Sequence, residues 1–205
     1  MKEMETAIIL AGGKSSRMGF DKQFIRFRDR YLVELIAEKL EKIFNEIIIV
    51  TGRPEAYSKD RYRIIEDEIR GFGPLAGIHA GLLNSGSMHN YVIACDMPFI
   101  KPDYVEYMMG LIKQQEGRAE GVITRLGEWI EPFNAFYSKS LLGRIEDSLD
   151  RGSRQINQML KDSGVIYVSE AEARKFSPDW DMFTNINTLE DYEKLMERLH
   201  GLKEV

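Results

Sequence analysis

Short unbroken apolar runs alternate along the chain with longer stretches in which apolar residues recur every three or four positions. Ala7 to Leu10 reads as a buried first strand. Leu32, Leu35, Ile36, Leu40 and Ile43 then share one helical face, with Glu38, Lys39, Glu41 and Lys42 on the other, which predicts an amphipathic helix over residues 31 to 44. Ile47 to Val50 is a second buried strand, so strand, crossover helix and strand form a right-handed unit of a parallel sheet. Tyr62 to Ile65 predicts a third strand, Pro74 opens a helix reaching about Leu83, and Tyr91 to Ala94 is a fourth buried strand. Pro102 opens the next helix, which turns Val105, Met108, Met109 and Ile112 inward.

The second half is less regular. Gly121 to Thr124 and Pro132 to Tyr137 predict two strands, antiparallel because their connection is too short for a helical crossover. Helices are expected at about 140 to 149, 154 to 161 and 170 to 175, with a strand from Val165 to Val168 between the last two. A final helix follows residues 183 to 187. Thr188 and Asp191 are spaced as a capping box, and Leu189, Tyr192, Leu195, Met196 and Leu199 form its apolar face. The alternation predicts a three-layer α/β/α sandwich, Rossmann-like, whose mostly parallel sheet carries an antiparallel element in its second half. In such open sheets, ligands bind beyond the carboxyl ends of the strands.

At 205 residues the chain fits a single domain, 1 to 205. Hydrophobic residues at 43% and charged ones at 30% are ordinary for a globular protein, and no repeat or low-complexity tract interrupts them. A net charge of -5 with dispersed basic residues argues against nucleic acid as a partner. Met1 to Glu5 is charged, and the apolar run behind it is far too short for a signal peptide or membrane span, so a cytoplasmic protein without a membrane partner is expected. The single cysteine, Cys95, excludes an internal disulfide and reads as a small buried residue with no evident activating base. Three scattered histidines, His79, His89 and His200, provide no zinc ligand set, so any metal should be hard and oxygen-bound. Trp129 and Trp180 fall in stretches read as irregular and receive no role.

Chemistry concentrates just past the first strand. Gly12 and Gly13 remove side chains where the backbone must turn and approach a ligand, and successive amides in such a turn can point at phosphate oxygens. Arg17 and Lys22 add fixed positive charge, which together with hydroxyls and amides suits a nucleoside triphosphate. A P-loop is excluded because Ile8 occupies the position of its first glycine, and a dinucleotide fingerprint because the glycines fall at 12, 13 and 19. Asp96 directly follows a buried strand. On spacing alone it is either a ligand for a Mg2+ that bridges triphosphate oxygens or a loop cap bonding nearby amides. Asp67 lies in a run of three acids, which by itself reads as solvated surface.

Leu10-Ala11-Gly12-Gly13-Lys14-Ser15-Ser16-Arg17-Met18-Gly19-Phe20-Asp21-Lys22 resembles the signature loop of the molybdenum cofactor nucleotidyltransferases, within the wider class of sugar-nucleotide and cofactor nucleotidyltransferases. The resemblance implies a fold of the nucleotide-diphospho-sugar transferase type, with a nucleotide-binding half over about 1 to 100 and an acceptor-binding half over about 101 to 205. It further implies that Leu10, Ala11, Gly12, Gly13, Ser15 and Lys22 bind nucleotide and that Arg17 and Lys22 act on the phosphates. Cys95-Asp96-Met97-Pro98 is similar to the family's metal-binding segment, which makes Asp96 the Mg2+ ligand. Glu66-Asp67 with Gly73-Pro74-Leu75-Ala76-Gly77 resembles the guanylyltransferase pattern, where the aspartate belongs to the nucleotide pocket and the glycine-proline stretch lies under the base. Asn185 and Asn187 resemble the segment on the acceptor side.

The implied reaction joins GMP from GTP to the phosphate of molybdopterin and releases pyrophosphate, with transient contacts to other molybdenum cofactor biosynthesis or acceptor proteins. Gly12, where cytidylyltransferase relatives usually carry alanine, points to the guanine branch, whereas Thr51-Gly52-Arg53 departs from the asparagine-containing segment of some members. A CTP-dependent transferase, a transferase acting on a sugar phosphate or another phosphorylated small molecule, and a silent nucleotide-binding carrier remain as alternatives at this stage.

Overall fold

A computed structural model describes residues 4–12, 26–27, 30–57, 60–67, 69, 72–186, 191 and 197. In chain order its strands are β1 (Thr6–Leu10), β2 (Arg26–Phe27), β3 (Arg30–Tyr31), β4 (Glu46–Thr51), β5 (Arg63–Glu66), β6 (His89–Ala94), β7 (Gly121–Leu126), β8 (Trp129–Ser138) and β9 (Val165–Ser169). Its helices are α1 (Leu32–Leu40), α2 (Pro74–Asn84), α3 (Pro102–Gln114), α4 (Leu142–Asp150), α5 (Ile156–Met159) and α6 (Glu170–Ala173). β2 and β3 form a small antiparallel pair, and the other seven strands form one sheet in the order β5-β4-β1-β6-β8-β7-β9. β8 alone runs against the rest, antiparallel to both β6 and β7. The predicted mostly parallel sheet with an antiparallel element in the second half is therefore what the chain forms.

The central strands are apolar without alternation because both faces of the sheet are covered. Ala7 and Ile9 of β1, Ile47 and Ile49 of β4, and Tyr91 and Ile93 of β6 meet α1 and α3 in one core. Their neighbours Ile8, Leu10, Ile48, Val50 and Val92 point the other way, against α2, α4 and α5. This gives the three-layer sandwich. Gly81 lets α2 lie close on β1, since an added Cβ there would be 2.6 Å from the Ile8 Cγ2.

Boundaries differ from expectation where backbone conformation intervenes. The first helix ends at Leu40 and continues as a turn. The helix expected over 154 to 161 is a single turn, because Gln155 is extended in front of it and Asp162 has a φ of 59° behind it. β7 and β8 each run further than the sequence predicted and meet in a tight hairpin. The expected last helix and its Thr188 cap lie mostly outside the described residues, although Asp191 and Glu197 are helical. Among the described residues no helix is long and apolar enough to cross a membrane.

Candidate functional site

Strand order locates the crevice. From β1 the chain moves outward to β4 and β5, then returns across the sheet to β6 on the other side of β1. The carboxyl ends of β1 and β6 therefore flank the point at which the winding reverses, where open α/β sheets take their ligands. Gly12 lies just past β1, and Asp96 just past β6.

A line of backbone hydrogen bonds stitches this rim together. The Asp67 N–H donates to Thr51 O at 3.0 Å, Ala11 N–H to Val50 O at 2.8 Å, Cys95 N–H to Leu10 O at 3.0 Å, and Ile186 N–H to Asp96 O at 3.0 Å. The segments carrying Asp67, Gly12, Asp96 and Asn185 are thus consecutive along one edge, although they are drawn from the whole length of the chain. Of the remaining sequence-predicted residues, Gly13, Ser15, Arg17, Lys22 and Asn187 lie outside the described residues.

Each described position has a distinct setting. Leu10 and Ala11 are buried and hold the start of the loop against the core, whereas Gly12 is exposed and a Cβ there would meet nothing within 4 Å. Gly73 has a φ of 64°, a conformation that glycine adopts without strain, and it places Pro74 in the first turn of α2. Gly77 presses α2 onto β1, with an added Cβ 3.2 Å from the Leu10 side chain. Asn185 is half-buried and immediately precedes the Ile186 tie to Asp96. Cys95 is buried at 5% exposure, as its sequence context suggested.

The backbone of Asp67 is tied to Thr51 O of β4. Burial pushes its carboxyl above the usual aspartate range, opposed in part by the Ile69 N–H and by the nearby His79. Among the described residues its Oδ1 is buried without a hydrogen-bond partner, an acceptor in want of a donor.

Asp96 has only 9% of its surface exposed, and its carbonyl is already engaged by Ile186. A single hard carboxylate at the crevice suits Mg2+, which binds through one or two carboxylates and completes its shell with phosphate oxygens and water. Among the described residues no group of three or more His, Cys, Asp or Glu stands together as a metal cage.

The loop after β6 is braced from outside. Lys39 of α1 donates to Pro98 O at 2.9 Å, and burial, with Lys101 and Lys42 nearby, lowers its pKa. Lys101 pairs with Asp181 at 3.1 Å, which anchors the segment leading to Asn185.

The sequence reading missed the ribbon at the acceptor end of the rim. Pairing between β6 and β8 stops at Val92 opposite Ala135, after which β7 and β8 continue alone, pairing Thr124 with Glu131, Arg125 with Ile130 and Leu126 with Trp129. Because β7 runs parallel to β6, this ribbon projects beyond the same edge that carries Asp96. At its base only Ile123 of β7 faces residues 132–135 of β8, a bulge that contains Pro132 and the left-handed Asn134, φ 57°. The buried Asn134 amide receives the Tyr91 hydroxyl at 2.6 Å and donates to Met182 O at 3.3 Å, tying the bulge to β6 and to the 181–186 segment. The sequence signals were Gly127, which takes the positive φ of a two-residue hairpin turn, and the proline in the strand.

Residues 7–165 match the family of the MobA-like NTP transferase domain. A relative from Peptoclostridium acidaminophilum, named "Probable molybdenum cofactor guanylyltransferase", is 53% identical over 189 residues, covering 91% of this chain and 86% of its own. Another, from Syntrophotalea carbinolica, named molybdenum cofactor guanylyltransferase, is 49% identical over 197 residues, covering 96% and 93%. The crystal structure of molybdopterin-guanine dinucleotide biosynthesis protein A from Archaeoglobus fulgidus superposes with a TM-score of 0.81 at 28% identity, covering 96% of this chain and 99% of that one. With the family match extending across β1 to the start of β9, and close relatives spanning nearly the whole length, this chain belongs to the MobA-like NTP transferase family.

Proposed function

We infer that this protein is a nucleotidyltransferase that moves GMP from GTP to the phosphate of molybdopterin, giving the guanine dinucleotide and pyrophosphate. The observation that carries this reading is the consecutive rim of Asp67, Gly12, Asp96 and Asn185 at the winding reversal, in a chain 49 to 53% identical to proteins named as guanylyltransferases. An oxygen of the acceptor phosphate forms a bond to the α-phosphorus of GTP while the bond from that phosphorus to the bridging oxygen of the leaving pyrophosphate breaks. Both partners are anionic, so the protein must offset repulsion and align attacking and leaving oxygens. The acceptor phosphate is ionised at neutral pH, and no general base is required.

The roles follow the rim. The half of the chain over about 1 to 100 takes the nucleotide: Leu10 and Ala11 support the loop, Gly12, Gly13 and Ser15 approach the phosphates, and Arg17 and Lys22 contribute charge. Asp67 offers its unpartnered oxygen to an N–H or O–H of the nucleoside, with Gly73 and Pro74 beneath the base. The half over about 101 to 205, through Asn185 and Asn187, takes the acceptor. Asp96 is the residue that would hold Mg2+, which when bound supplies positive charge to the triphosphate oxygens.

Pyrophosphate release with Mg2+ and a molybdopterin-containing acceptor, measured with GTP, CTP and ATP in parallel and with Asp96→Asn as control, tests the reading. GTP preference that is lost in the control is expected. CTP preference would place the protein in the cytidylyltransferase branch, and equal turnover by Asp96→Asn would remove the metal role.

A further inference from the structure

The ribbon that rises beside the crevice carries an unusual pairing of groups at its tip. Trp129 is 78% exposed, the more exposed of the two large hydrophobic side chains that stand in solvent among the described residues. An indole in water at the first position of a strand does nothing for folding. Two residues on, Glu131 is half-buried, and the nearby Trp180 indole N–H partly offsets the upward push that burial gives its pKa. Glu131 stands opposite Thr124, whose hydroxyl bonds to Tyr104 of α3, so Glu131 and Trp129 both face the α3 side of the sheet. Trp180 has a left-handed backbone, φ 61°, and packs against Phe183 with the rings tilted by 42° and their centroids 4.7 Å apart. It begins the segment that runs through Met182 and Asn185 to the Ile186 contact with Asp96. One carboxylate between two indoles is therefore connected by seven residues, 180–186, to the proposed metal-binding position.

We propose that Glu131, flanked by Trp129 and Trp180, is the site that recognises the pterin ring of the acceptor, a proposal that rests on the transfer reaction inferred above. The chemistry matches part for part. The pyrimidine edge of a pterin presents its ring N3–H and 2-amino group side by side, two donors that a carboxylate accepts with its two oxygens. The flat bicyclic system stacks on an indole face, as nucleobases do on aromatic side chains. Burial already raises the Glu131 pKa, so its ionised form gains from donors brought by a ligand. The bulge at 132–135 aims this short stretch of β8 independently of the sheet below, and Asn134 fixes that bulge to the same 181–186 segment.

The chain contains two tryptophans, 129 and 180, so its tryptophan fluorescence, excited selectively apart from its nine tyrosines, reports on this site alone. Free pterin, 2-amino-4-oxopteridine, should quench it saturably in the wild-type protein, whereas lumazine, with oxygen in place of the 2-amino group, should bind about ten-fold more weakly or not at all. Glu131→Gln retains an oxygen for Trp180 but turns an amide donor toward the ligand's donors. It should weaken pterin about ten-fold and erase the distinction from lumazine. Trp129→Ala, at an exposed position that cannot disturb the core, should weaken both pteridines together. In turnover, Glu131→Gln should raise KM for the molybdopterin acceptor without raising KM for GTP. Unaltered pterin affinity in Glu131→Gln, failure of the wild type to discriminate the two pteridines, or absence of any quenching would each overturn the proposal. If no protein releases pyrophosphate, the transfer reading falls instead, and the pteridine titration alone decides the role of Glu131.

Discussion

Replacing Asp67 by asparagine should make the free protein more stable and a worse binder of GTP. Its carboxylate is half-buried with Oδ1 unpartnered among the described residues, and burial holds its pKa above the ordinary value. Leaving a buried acceptor unsatisfied costs about 1–3 kcal/mol, and a charged one costs more. Asparagine preserves the shape and one oxygen while removing the charge, so at neutral pH Asp67→Asn should gain about 1 kcal/mol, or roughly 2–4 °C in Tm for a chain of this size. In the complex the same substitution exchanges a charge-assisted hydrogen bond for a neutral one. The loss is about 2 kcal/mol, roughly thirty-fold in Kd for GTP.

The pH dependence gives this prediction its sharpest form. A carboxyl whose folded pKa is raised binds more protons in the folded state than in the unfolded one, so its contribution to stability is fully present below the unfolded value and is lost as pH rises through the folded value. The advantage of Asp67→Asn should therefore be largest at neutral pH and disappear as acid protonates the wild-type group. Urea denaturation of both proteins across pH 4 to 7, with calorimetric GTP titration at pH 7, measures both halves. A wild type as stable as the variant at pH 7, or a gap that persists unchanged into acid, would refute the reasoning.

Four further substitutions probe the fold and the loop. Lys22→Ala should weaken GTP binding by about 1.5–3 kcal/mol through the loss of a charge-assisted contact, and unchanged binding by calorimetry would remove Lys22 from the site. Gly81→Ala should cost more stability than Gly77→Ala in denaturant titrations. The first Cβ meets the branched Ile8 at 2.6 Å, a typical overpacking cost of about 1–3 kcal/mol against about 1 gained in helix propensity, whereas the second meets the movable end of Leu10 at 3.2 Å. Tyr91→Phe leaves the buried Asn134 Oδ1 without its donor and should cost about 1–3 kcal/mol, which equal denaturation midpoints would contradict.

What could be read from the sequence divides along physical lines. β1, β4 and β6 were legible because burial on both faces makes them unbroken apolar runs, and α1 and α3 because one wet face leaves a helical stripe. Asp67 and Asp96 were placed at strand ends by the same runs, yet nothing in the sequence distinguished a solvated acid from the buried, unpartnered Asp67. The β7–β8 ribbon escaped notice because Trp129 and Glu131 belong to no core, Ile130 only packs against the edge of one, and the three show no alternation that a half-buried strand would impose. Asn134 is the extreme case. Its left-handed backbone is stabilised by Tyr91 and Met182, residues 43 and 48 positions away, so no local pattern announces it.

The way the rim is held decides how safely its chemistry can be probed. Leu10, Val50, Thr51 and Asp96 fix their neighbours through carbonyl oxygens, and Ala11, Asp67, Cys95 and Ile186 answer through backbone N–H groups. Side chains at Asp67 and Asp96 take no part in these four bonds. Replacing either carboxyl by an amide therefore leaves these four backbone bonds paired as before while altering charge at the point of contact with a ligand. At the acceptor end the opposite holds, because the Asn134 side chain is itself the tie between bulge, β6 and the 181–186 segment. Substitutions there move geometry and chemistry together. Loss of turnover on changing Asp96 thus speaks about reaction chemistry, whereas the same loss on changing Asn134 speaks about where the acceptor side of the crevice stands.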